Sequence, residues 1–178
     1  MSKLDLIIST SDQQSKRNSK LYTYGFNTYK VSSLEELGSV ANKAAISGPS
    51  YKGGHRKGVN IVGGSNIILI DCDEPGQAEV VEQKLQHYDY VKVPSASNLK
   101  YDYKWHFIIP TQEPLSIYPA AFKWQIEQFF QQVGITDYMV DTSGSYDIVR
   151  QFAPASIGMT VAEANERTEI NNEDLQVP

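Results

Sequence analysis

Apolar positions in this chain come in short branched runs between polar turns, and in two stretches they take up helical spacing instead. Residues 9–20 are polar and predict a mobile segment. Residues 21–31 (LYTYGFNTYKV) are rich in tyrosine and β-branched side chains, which suit extended structure. Ser32 and Ser33 each precede a glutamate by three positions, offering two registers of a capping box. Leu34, Leu37, Val40, Ala41 and Ala44 then keep helical spacing to about Ile46, and Gly48-Pro49 stops the helix. Residues 58–63 predict a strand, Gly63-Gly64-Ser65-Asn66 a hairpin turn, and 66–72 a strand buried on both faces. A helix is predicted over 76–87 with Ala78, Val81 and Leu85 inward, then a strand over 88–93. The polar connection 94–102 leads to a strand over 103–109, stopped by Pro110. The clearest helical stripe is Phe122, Ile126, Phe129, Phe130 and Val133 within 116–133, with Gly134 as its stop. Residues 136–153 predict short extended pieces around Asp141.

This order of elements, strand–strand–helix–strand–strand–helix–strand, predicts an α+β sandwich rather than a doubly wound sheet. The expected organisation is a flexible segment over 1–20, a body over 21–155, and a peripheral helix with a tail or linker over 156–178. The last part turns acidic (Glu163, Glu166, Glu169, Glu173, Asp174). A length of 178 residues suits one substantial domain, and 40% hydrophobic with 21% charged residues are globular values. No apolar run reaches the length of a membrane span, and the apolar core after Met1 is too short for a signal peptide, so the cytoplasm is the expected location. Neither the Walker nor the dinucleotide glycine-rich loop occurs. The net charge of −5 does not advertise nucleic-acid binding. Local basic patches matter more for phosphate contacts, and two exist: Lys16, Arg17 and Lys20, and Lys52, His55, Arg56 and Lys57 in a glycine-containing segment. Either patch also reads as a solvated loop.

The chemistry concentrates where the aliphatic run Ile67-Ile68-Leu69-Ile70 ends in Asp71-Cys72-Asp73. Alternation along a strand projects Asp71 and Asp73 to one side, where they repel unless a cation lies between them. A hard divalent ion takes oxygen ligands of this kind. For an isolated pair, a strand end running into the turn Asp73-Glu74-Pro75-Gly76 is the more ordinary account. Cys72 is the single cysteine, and packing is its expected role. Lys104 and His106 share a strand face, a grip suited to phosphate oxygens, although a lone histidine is also an ordinary half-buried residue. Asp141 ends another apolar approach, Met139-Val140. Arg150, within Ile148-Val149-Arg150-Gln151-Phe152, needs a carboxylate or a phosphate partner if buried.

His106 follows Asp73 by 33 residues, and Asp141 follows His106 by 35. In this order Ile70-Asp71-Cys72-Asp73, Lys104-Trp105-His106 and Val140-Asp141 resemble the three motifs of the archaeo-eukaryotic primase superfamily, in particular the primase–polymerase domains of phages and plasmids. The segments Pro94-Ser95-Ala96-Ser97 and Arg150 before Phe152-Ala153-Pro154 are also similar, and the resemblance covers roughly residues 58–155. Many members have serine where this chain has Lys104, and the single cysteine excludes a Cys-rich zinc module. The resemblance implies an α+β core with a modified RRM-like antiparallel sheet flanked by helices, a small N-terminal α/β lobe, and an active site between them. It implies Asp71, Asp73 and Asp141 as catalytic ligands of two Mg²⁺ or Mn²⁺ ions. His106, Lys104, Arg150, Ser95 and Ser97 would bind a nucleoside triphosphate, and Lys52, His55, Arg56 and Lys57 would contact nucleic acid. Expected partners are a single-stranded DNA template, nucleotides, and a helicase domain in the same chain or in trans. A non-catalytic nucleic-acid-binding replication module and a metal-dependent phosphodiesterase or nuclease are the alternatives.

Overall fold

Two antiparallel sheets that share an apolar layer organise the chain, and the computed structural model describes residues 3–12 and 23–178. In chain order the elements are β1 (Leu6–Ser11), β2 (Asn27–Val31), α1 (Leu34–Lys43), β3 (Ala45–Ser47), β4 (Ser50–Tyr51), β5 (Ile61–Gly63), β6 (Ile67–Cys72), α2 (Gln77–Lys84), β7 (Tyr90–Pro94), β8 (Trp105–Pro110), α3 (Pro119–Val133), α4 (Thr142–Tyr146), β9 (Gln151–Phe152), α5 (Val161–Arg167) and β10 (Glu169–Asn171). One sheet runs β2-β1-β3-β9, the other β10-β7-β8-β6, and β4 pairs with β5. The fold is α+β, with antiparallel sheets flanked by helices.

The second sheet is buried on both faces, and strand alternation sorts its side chains. Ile68, Ile70, Cys72, Phe107 and Ile109 pack with Val81 of α2 and with Phe122, Ile126 and Phe129 of α3. Ile67, Leu69, Val91, Val93 and Ile108 face the other way, onto Leu34 and Leu37 of α1, Leu6 and Ile8 of β1 and Phe152 of β9. The termini of α1 and α3 follow local chemistry. The Ser33 hydroxyl accepts from the Glu36 amide at the start of α1. Pro119 opens α3, and Gly134, at a φ of 83°, closes it in the left-handed conformation that glycine adopts freely.

The structure departs from the sequence reading at five places. Leu6–Ser11 is a central strand rather than part of a flexible segment. Serines suit a loop, but here they are buried and donate to the carbonyls of Pro49 (Ser9, 2.5 Å) and Tyr24 (Ser11, 2.9 Å). Lys16, Arg17 and Lys20 lie outside the described residues. The first helix ends at Lys43, because Ala45–Ser47 is taken into the ladder between β1 and β9. The turn at 63–66 joins no hairpin. β6 pairs with β8, and the Leu115 amide donates to the Ser65 carbonyl (2.7 Å) where a Cβ on Gly64 would collide with the Leu115 carbonyl oxygen. Asp141 heads a short helix instead of ending a strand. The acidic C-terminal part is docked on the body: β10 pairs with β7, and the buried Val177 bridges to Thr111. Among the described residues no helix is long and apolar enough to cross a membrane.

Candidate active site

The same alternation that buries Ile67 and Leu69 against the first sheet turns Asp71 toward it. The β6–β8 register sets Asp71 directly opposite His106. Cys72 points to the other, helix-covered face, where burial pushes its thiol up, away from reactivity at neutral pH. Asp73 lies just beyond the strand, its amide held by the Gln77 side chain at 3.0 Å. Burial first, and then the neighbouring Asp71, raises the Asp73 carboxyl above its usual range. Asp71 is raised chiefly by burial and further by Asp141, with Arg150 acting against both.

Asp141 arrives from a different part of the chain. Its amide donates to the Asp71 carbonyl at 3.1 Å, fastening the head of α4 to the end of β6. Its side chain caps α4, accepting from the Ser143 hydroxyl (2.7 Å) and the Gly144 amide (3.2 Å). The Ser143 hydroxyl is the main reason that Asp141 is held below the usual carboxylate range. Arg150, just before β9, joins the two acids: its Nη2 is 3.2 Å from Asp71 Oδ2 and 4.0 Å from Asp141 Oδ2.

His106 lies between Asp71 and the first sheet. Its ring stacks on Phe152 with centroids 3.8 Å apart and planes 9° from parallel, and its Nε2 is 3.5 Å from Asp71 Oδ1. Burial, aided by the Arg150 charge, lowers His106 to about 3, so the imidazole is neutral at pH 7. It therefore meets Asp71 as a neutral ring rather than as a cation. Lys104 sits at the mouth of the site, over the Tyr101 ring at 5.1 Å, and its charge reaches both Asp71 and Asp73.

The structure brings Asp71, Asp73, Asp141, His106, Lys104 and Arg150 together, and it places the other predicted residues around them. Ser95 and Ser97 bond each other (3.3 Å) in the β7–β8 connection, where the Ser95 amide donates to the Lys104 carbonyl (3.3 Å). The basic segment packs beside the Arg150 loop. Arg56 donates to the Val149 carbonyl at 2.6 Å, His55 stacks on Tyr24 at 4.4 Å, and Lys52 and Lys57 are exposed. Ser143, Gly144 and Phe152 were not singled out from sequence. The pattern Asp141-Thr142-Ser143-Gly144 carries a legible helix-cap signal. Nothing in the sequence pairs Phe152 with His106.

A hard divalent cation fits this donor set chemically. Asp71 Oδ1 is buried with no hydrogen-bond partner, and carboxylates are the oxygen ligands such an ion takes. The set is not assembled as a cage, because among the described residues no group of three or more His, Cys, Asp or Glu is placed to hold a metal ion. Comparison of the chain with protein-family models, with curated proteins and with solved structures finds no match.

Proposed function

We propose that this chain is a primase–polymerase domain that carries out template-directed, metal-dependent nucleotidyl transfer. The observation that carries the reading is the convergence of Asp71, Asp73 and Asp141 in the seam between the two sheets, with Asp71 Oδ1 buried and unpartnered. The arrangement β6-α2-β7-β8, with β8 between two parallel strands, is a split β-α-β unit of the kind an RRM-like sheet contains. The first sheet with α1 would be the smaller lobe.

Divalent ions held by the three carboxylates would lower the pKa of an attacking 3′-hydroxyl and neutralise charge on the triphosphate. The chain's own residues have distinct tasks. Neutral His106, wedged against Phe152, covers one side of Asp71 and keeps water from it. The Asp141 cap locks its carboxylate to α4, so that it meets the β6 acids without rearrangement of the backbone. Lys104 and Arg150 supply positive charge at the rim for phosphate oxygens. Ser95 and Ser97 flank the Lys104 end of the site. The basic segment Lys52, His55, Arg56 and Lys57 lies where a single-stranded template would approach, and the substrates would be NTPs or dNTPs. A helicase domain, in cis or in trans, would supply that strand.

Arg150 already neutralises part of the acidic cluster, and this favours a second reading, a nucleic-acid-binding replication module without synthesis. Incubation with a primed DNA template, labelled nucleotides and Mn²⁺ tests the proposal. Elongation that Asp73→Ala abolishes is the expected result. A template shift without synthesis would favour the binding module, and degradation of the template would favour a phosphodiesterase.

A further inference from the structure

The geometry points to Arg150 as a displaceable placeholder: its guanidinium occupies the cation position between Asp71 and Asp141, and a divalent ion enters only by expelling it. This inference rests on the metal reading above and adds an occupant to it.

Arg150 spans the two acids with a single nitrogen, Nη2, at 3.2 Å from Asp71 and 4.0 Å from Asp141. A guanidinium that is seated for good on a carboxylate uses its fork, two parallel N–H···O bonds. Here the fork is not used. Arg150 Nε is buried with no acceptor, while Asp71 Oδ1 on the same carboxylate has no donor. A buried donor and a buried acceptor, both left unsatisfied, make the resting pair weaker than its charges suggest.

The molecule nevertheless makes room for the guanidinium in this place. A Cβ on Gly144 would sit 3.1 Å from Arg150 Cζ and 3.0 Å from Asp141 Oδ2, so the bare glycine backbone is what lets the two side chains meet. The backbone of Arg150 is held at both ends: its amide donates to Asp147 (3.0 Å) and its carbonyl accepts from the Ser47 hydroxyl (2.8 Å). Motion is therefore left to the side chain, which is one-third exposed and has a way out to solvent. The charged groups around it act in both directions. Asp71 and Asp141 hold it, while Arg56 of the basic segment repels it. A divalent ion takes both carboxylates at once with twice the charge, so ion and guanidinium compete for one position. Once expelled, the guanidinium carries its charge to the rim, where phosphate oxygens of a nucleotide would meet it. One residue thus keeps the acids neutralised at rest and becomes available to the substrate when the metal arrives.

The test is Mn²⁺ titration of the whole protein, without nucleotide, followed by calorimetry. Arg150→Met keeps the bulk and removes the charge, and it is expected to bind Mn²⁺ roughly tenfold or more tightly than the wild type. Arg150→Lys should fall between them. Phenylglyoxal labelling of Arg150 in the wild type, read by mass spectrometry, should quicken several-fold when Mn²⁺ is added. This second measurement stands even if Arg150→Met fails to fold. Equal or weaker Mn²⁺ binding by Arg150→Met, or labelling that Mn²⁺ leaves unchanged, overturns the displacement. If Asp71→Asn still abolishes Mn²⁺ binding in that case, the metal reading survives. Absence of Mn²⁺ binding in both wild type and Arg150→Met overturns the metal reading itself and the displacement with it.

Discussion

The second sheet buries charge on both of its faces, and the two clusters are built in opposite ways. On the helix-covered face Lys92 is bound by Glu82 (2.8 Å) and Glu169 (3.2 Å) and lies 4.2 Å from the centre of the Trp105 ring. Burial alone would depress Lys92, but the two carboxylates outweigh it and hold the ammonium above its ordinary value. On the other face Asp71 meets His106, Arg150 and the neighbouring acids, and burial lifts its carboxyl. Formal charge does not separate the clusters. With Lys104 counted, each sums to −1: one lysine against two glutamates, and Arg150 with Lys104 against three aspartates. The difference lies in satisfaction. The Lys92 ammonium has an acceptor on each side, whereas the aspartate cluster holds an orphaned acceptor and an orphaned donor. A charge cluster built for stability closes on itself, and one built for a ligand leaves oxygen lone pairs open.

This contrast can be broken most sharply through activity. Asp71→Asn and Asp141→Asn should each lower Mn²⁺-dependent nucleotide addition by roughly a hundredfold or more. Both variants should keep the wild-type circular dichroism spectrum, since removing one carboxylate relieves repulsion among the rest. Retention of near-wild-type incorporation by either variant would sink the catalytic assignment. The opposite face should show the reverse profile. Lys92→Ala leaves two glutamates facing a buried position and strips the contact with Trp105, at a cost of about 3 kcal/mol in urea unfolding. Activity per folded molecule should be preserved, and a loss of activity larger than the loss of folded protein would refute the division of labour.

The histidine sharpens the comparison through pH. In the folded chain burial lowers His106 to about 3, against an ordinary value of 6.5. Across that window the unfolded chain takes up a proton that the folded one refuses, so stability falls as pH drops below 6.5. Asp71 and Asp73 act with the opposite sign. Their raised carboxyls bind protons more tightly when folded, which adds stability as pH falls through the carboxylate range. His106→Asn should therefore flatten the acid-side decline in Tm, measured in EDTA, whatever it does to the Tm at pH 7. An unchanged slope would place the imidazole in a more open environment than the Phe152 stack provides. The smallest effect belongs to Cys72→Ala, which removes a buried sulfur on the helix-covered face. A cost of about 1 kcal/mol with unchanged nucleotide addition is expected. A large activity loss would mean that the thiol side of β6 takes part in the site.

Much of this was legible in the chain. The spacing of Phe122, Ile126, Phe129 and Phe130 predicts α3, and the aliphatic run before Asp71 predicts β6, because helical and strand periodicities are local and the runs are long. Alternation also assigns Cys72 and Asp71 to opposite faces, and the structure has them there. The short pieces were not legible in the same way. β1 hides its serines by giving their hydroxyls to carbonyls of distant loops. β3 and β9 are too short to declare themselves without their ladder partners. Asp141 reads as a strand end only until it is recognised as a helix cap that accepts from Ser143 and Gly144.

What the sequence determined by itself is the identity of the acids, the assignment of Asp71 and Cys72 to opposite faces of β6 and the greasy run that carries Asp71 into the interior, since these depend on neighbours one to four residues apart. The meeting of Asp71 with Asp141, of His106 with Phe152 and of Arg150 with Asp71 spans sequence separations of 46 to 79 residues. Only the closure of two sheets on a common apolar layer decides such contacts. No local propensity encodes which buried oxygens are left without a partner, and the unsatisfied Oδ1 of Asp71, set among two further acids and Arg150, is the tertiary fact on which the functional reading turns.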